Sequence, residues 1–183
     1  MRTIAIHRQL HDVFGERQTV PGIAVTLLFG LGVPALLAVT EADMLGALPL
    51  WRSAIALLLV LDIAAGSLAN FTRSTNDFYA ARPRNRWAFI AIHVHVVAVA
   101  WLVGSDLAAA IAIWAYTIAS AITVNLLKGS PLQTLAGGTL LATGLCWLPL
   151  WPGLSPFMAA TGALFMLKVI FSFAVDHYGR DRA

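Results

Sequence analysis

The sequence predicts an all-α integral membrane protein built as one domain. Three observations carry that prediction. Hydrophobic residues make up 59% of the 183 residues and charged ones only 11%, whereas a soluble domain is about a quarter charged. Six apolar stretches are long enough, or nearly so, to cross roughly 30 Å of hydrocarbon at about 1.5 Å per helical residue. Apart from Arg52, at the outer edge of the second span, and Lys168 within the last, the basic residues fall in alternate connections, where arginine and lysine mark the cytoplasmic side.

Residues 1–19 form a polar leader in which Ile6, Leu10, Val13 and Phe14 share one helical face. The expectation is a short helix lying in the membrane interface. No cleaved signal peptide is expected, because the first apolar run begins near Gly22, after Asp12 and Glu16. Spans are placed at about 21–40, 50–73, 86–104, 106–127, 131–150 and 154–178. The first contains Pro34, where a kink is expected. A very short link around Gly104 makes the third and fourth a tight hairpin. In the fifth, Gly137 and Gly138 allow close helix approach.

Arg2, Arg8 and Arg17 precede the first span. Arg73, Arg82, Arg84 and Arg86 fill the second connection, Lys128 the fourth, and Arg180 and Arg182 the tail. Both termini are therefore expected in the cytoplasm, which agrees with an even number of spans. The expected location is a bacterial cytoplasmic membrane. The net charge of +3 is topological, so no nucleic-acid partner is expected. Cys146 is the single cysteine, which excludes an intrachain disulfide and multi-cysteine zinc sites.

With orientation fixed, depth follows by counting. Asp62, His93 or His95, Tyr116 and Lys168 come from four helices at one depth near the midplane. Ionisable residues there face a partner or a cavity. Asp62, Gly66, Asn70, Arg73 and Asp77 recur at steps of four and three, one helical face. A second layer, about 12 Å inward at the helical rise, gathers Asn70, Arg73, Asp77, Asn125, Lys128, Asp176 and His177, and Ser172, expected to bind substrate too, lies between Lys168 and Asp176 on one face. The expected shape is a polar cavity open inward and sealed outward.

His93-Val94-His95 invites a metal reading. On an unbroken helix, residues two apart point about 200° apart, so the two imidazoles cannot share an ion. His93 is the one expected to face Asp62, and no metal or cofactor is expected. A structural alternative also exists, in which Asp62 and Lys168 merely fix helix register.

An acid–histidine interior resembles that of seven-span hydrolases of the ceramidase type. The paired C-terminal histidines of that type are missing, and no residue is carried over. The elbow of rhomboid proteases is also absent, because Ala65-Gly66-Ser67 has the wrong flanks and depth.

The leading expectation is a membrane-embedded enzyme using acid–base chemistry on an amphiphilic or lipid-like substrate from the cytoplasmic leaflet. Asp62 and His93 form the acid–base pair, and Tyr116 and Lys168 bind the reacting group. Asn70, Arg73, Asn125 and Lys128 hold an anionic headgroup. The alternatives are a small proton-coupled transporter or ion pathway and a non-catalytic membrane assembly partner. Expected partners are membrane lipids, an amphiphilic small molecule and, to provide alternating access, a second copy as a homodimer.

Overall fold

The computed structural model describes residues 2–182; the side chains of Arg180 and Arg182, counted above as tail charges, lie outside the described part. Helices dominate. Five segments are long and apolar enough to cross a membrane: Val20–Thr40, Leu50–Ala69, Pro83–Val103, Leu107–Leu126 and Pro156–Phe173. The chain is an integral membrane protein.

The leader differs from the expected interfacial helix. Strand β1 (Thr3–Ala5) pairs antiparallel with β2 (Arg17–Thr19), and α1 (His11–Phe14) is one turn between them. Gly15 ends that turn at φ 70° and ψ −170°. A side chain there would strike Ser74, so the leader can press onto the protein only at a glycine. Polar contacts win over the apolar stripe, and Leu10 stays 47% exposed.

Helix α2 (Val20–Thr40) starts where the Thr19 hydroxyl accepts from Gly22 N, with proline in the first turn. It runs as one helical element through Pro34. Leu28, Leu36 and Val39 stand exposed along it, as lipid-facing residues do. After the short α3 (Ala42–Gly46), α4 (Leu50–Ala69) packs along α2. The expected span to residue 73 is cut at Asn70. Thr72 then caps a separate amphipathic helix, α5 (Arg73–Ala80), whose buried side is Thr75, Asn76 and Tyr79.

The third span divides into α6 (Pro83–Ile92) and α7 (His95–Val103). Asp106, at φ 58°, turns the chain tightly into α8 (Leu107–Leu126). Helix α9 (Gln133–Trp147) has 15 residues, about 22 Å at the helical rise. It falls short of the other five and continues as a 3-10 turn, Leu148–Leu150. Helix α10 (Pro156–Met166) is capped by Ser155 and passes into a π-helical segment, Leu167–Phe173. Gly137 of α9 lies against Val175, where a methyl would collide, so the expected close approach is present there. Trp51, Trp87 and Trp101 are exposed near helix ends, the placement of an interfacial aromatic belt.

Candidate functional site

Asp62 projects from α4 and meets Lys168 from the π-helical segment. Lys168 Nζ donates to Asp62 Oδ2 at 2.6 Å and to the Asp62 carbonyl at 3.2 Å. The lysine side chain is 3% exposed and the aspartate 49%. Gly66, one turn after Asp62, is the slot for the lysine stem, because any Cβ there would land on Lys168 Cε. The π geometry carries i→i+5 bonds such as Ala174 N to Val169 O, 3.2 Å. Such turns are rare and frequent at functional sites.

The His93–His95 expectation is corrected. The helix breaks here, with His93 at ψ 84° and Val94 at φ −111°, ψ 8°. The His93 Nδ1 bonds the Phe89 carbonyl, and its ring stacks on Phe89. The break removes the 200° separation, and the imidazole centroids stand 5.0 Å apart. His95, not His93, is nearest the carboxylate: its Nδ1 lies 3.8 Å from Asp62 Oδ2. That nitrogen is buried without a hydrogen-bond partner. Among the described residues, no group of three metal-ligating side chains forms.

Tyr116 does not join this layer. Its hydroxyl donates to the Leu140 carbonyl at 2.6 Å, and its ring meets Trp147 edge-on. Its helix presents it to α9, and depth alone could not reveal that rotation.

The layer also sits nearer one end than the midplane. Helix α4 stops at Ala69, seven residues after Asp62, or about 10 Å at the helical rise. Next along α6 comes an aromatic stack. Phe89 lies between His93 and Phe173, with ring centroids 3.7 and 3.6 Å away, and Tyr79 packs against both phenyl rings.

Beyond the stack lies the second layer. Its centre is Arg86, 2% exposed. Sequence reading treats Arg86 as a topology charge; it is instead buried. Nε donates to Asn125 Oδ1 at 2.9 Å, and Nη2 donates to the Ala174 carbonyl at 2.9 Å. Asn76 Nδ2 takes the Val175 carbonyl at 3.2 Å, and Gln133 Nε2 shares the Ala174 carbonyl at 3.0 Å. A helix C-terminus leaves carbonyls unpaired and partially negative; these three side chains answer that need. Sequence reading passes over Gln133 and Asn76. The available signal for Arg86 is its spacing, since Arg86, Phe89 and His93 share one face.

The remaining expected residues scatter around this end. Asn70 is buried with Nδ2 unbonded, as is Ser172 Oγ. Arg73 pairs with Asp77 at 3.5 Å and Asp181 at 3.3 Å. Because α4 ends, Arg73 and Asp77 do not continue the Asp62 face. Lys128 donates to the Ala80 carbonyl at 2.9 Å and approaches Asp176 at 3.9 Å. His177 Nε2 bonds the Phe171 carbonyl at 2.9 Å beside Phe71. Burial lowers the His177 pKa, and burial raises that of Tyr79. Asp77, Lys128 and Asp176 line a cavity of about 710 Å³. Arg17, Arg73 and Arg82 line another of about 800 Å³ under the leader.

Comparison with known protein families, curated proteins and solved structures finds no match to this chain.

Proposed function

We propose that the chain is a membrane-embedded acid–base enzyme acting on an amphiphile drawn from the leaflet at its basic end. One observation carries this reading. Asp62 is half exposed on an apolar helix face, yet it is held from behind by buried Lys168 with two imidazoles beside it. Lysine keeps the carboxylate ionised, Asp62 accepts a hydrogen bond from the substrate, and His95 carries the proton. Arg73, Asp77 and Lys128 lie beyond this pair at the interface, where the headgroups of surrounding lipids meet them. The architecture proposed with it has six crossings, α9 being the short one. Both termini lie on the cytoplasmic side of a bacterial cytoplasmic membrane, and membrane lipids are the partners.

The helix break at His93–Val94 and the π turn at Lys168 favour a second reading, a proton-coupled pathway, since interrupted helices commonly build ion sites.

The test uses protein reconstituted in vesicles of total bacterial lipid, with mass spectrometry of the lipids and a pH dye inside. The enzyme reading predicts a mass-shifted amphiphile with the wild-type protein and none with Asp62→Asn. Proton flux lost in Asp62→Asn, with unchanged lipids, would replace it by the pathway. No difference in either readout would remove both.

A further inference from the structure

Only one oxygen of the Asp62 carboxylate is committed. Oδ2 receives the ammonium of Lys168 and faces His95. Oδ1 has no partner among the described residues, although 49% of the side chain is exposed. The exposure is not on a loop. Ile55, Leu58 and Asp62 follow at steps of three and four on one face of α4, and Ile55 and Leu58 are 43% and 62% exposed. Val94, beside His95 on the broken helix, is 47% exposed. In the architecture proposed above this stripe faces lipid, so the open oxygen lies on a hydrocarbon-facing surface, where an unsatisfied polar group is costly.

We propose that this oxygen receives the hydroxyl head of an uncharged long-chain alcohol, which arrives sideways between α4 and α7. This assignment rests on the acid–base reading and names its substrate class. The occupant must donate, because an ionised carboxylate only accepts. It must be amphiphilic, because the approach is apolar. An anionic head carries no proton to donate and adds net charge to a pair that Lys168 already neutralises. A cationic head adds net charge to a carboxylate already neutralised by Lys168, in a setting where uncompensated charge is expensive. An anionic head stays with the arginines and lysine at the basic end.

The test is photo-crosslinking of the full chain in nanodiscs. The probes share a hexadecyl chain with a diazirine near the head, and they end in hydroxyl, amine, carboxylate or phosphate. Adducts are located by tandem mass spectrometry. The hydroxyl probe should label residues 55–62 and 91–95 at least roughly tenfold more than the others, the selectivity of about one hydrogen bond to a charged acceptor. Leu58→Trp, which fills the space before Asp62, should abolish that excess. Leu28→Trp, on the exposed face of α2, should leave it intact and controls for folding. Equal labelling by all four heads, preference for the amine, or cross-links between two protomers over this face would overturn the assignment. Hydroxyl-selective labelling without lipid turnover would remove the catalytic reading alone. Turnover of an amphiphile without hydroxyl preference would remove this assignment alone.

Discussion

At Gly66 the absence of a single methyl decides the geometry of the charged layer. In an ordinary helix interior, Gly→Ala stabilises by about 0.5–1 kcal/mol. Here the methyl would occupy the Lys168 stem, so the sign should reverse. Gly66→Ala should lower stability by about 1–3 kcal/mol, the cost of overpacking, as read by thermal unfolding in nanodiscs. Unchanged or raised stability would show that Lys168 does not thread this slot. His177 offers a pH signature. Burial holds its folded pKa below the ordinary value of about 6.5. The folded state then binds fewer protons than the unfolded one, so stability is lost as pH falls through about 6.5 toward the folded pKa. His177→Phe should flatten the stability profile between pH 7 and 5, and an unchanged slope would contradict this. Depth counting made Asp62 and Lys168 legible, because both are costly in hydrocarbon and stand at similar distances from their helix ends. It misplaced Tyr116, whose rotation toward Leu140 depends on packing rather than depth.

At the level of elements, discontinuities do most of the positioning. The stop at Asn70 separates Asp62 from Arg73 and Asp77. The break at His93–Val94 brings both imidazoles to one side. The π segment aims Lys168 at Asp62, and its end supplies the carbonyls that Arg86, Asn76 and Gln133 bind. None of these breaks carries a proline or glycine at its centre, which is why an apolar period alone reads each segment as continuous. Thr72 was the usable signal, since a threonine ahead of Arg-Ser-Thr-Asn reads as a helix cap. The leader was misread for a related reason: its stripe allows a helix, but Gly15 and contacts to Thr75 and Tyr79 draw it onto α5. Arg86 gives the element-scale prediction. Charge-assisted hydrogen bonds are worth about 1.5–3 kcal/mol each. Arg86→Met should therefore cost several kcal/mol, and Arg86→Lys should recover little, because lysine lacks the planar fork. Full rescue by lysine in a denaturation series would show that charge alone matters at this helix end.

Across the whole molecule, the leader, α5, the start of α6, the end of α8 and the tail meet at one basic end. Arg52 reaches the Trp101 carbonyl and Ser155 reaches Asp106 at the other. Cysteines placed at Asp43 and Asp106 should react with an impermeant maleimide added outside cells, and those at Asn85 and Gly179 should not. Labelling of Asn85 from outside would invert the proposed orientation. The overall helical membrane character was legible from composition and loop charge. The number of crossings was less so, because α9 has only 15 residues and ends in a 3-10 turn containing Pro149. The central claim is that a buried lysine and a half-exposed aspartate form one unit between α4 and the last helix. A double-mutant cycle in nanodiscs tests it most directly. Asp62→Asn orphans the buried ammonium and should cost about 3–5 kcal/mol. Lys168→Met should cost less, because Asp62 is already half exposed. The double mutant should recover most of the Asp62→Asn loss, since no orphan charge remains. Losses that simply add would mean that the two residues do not meet.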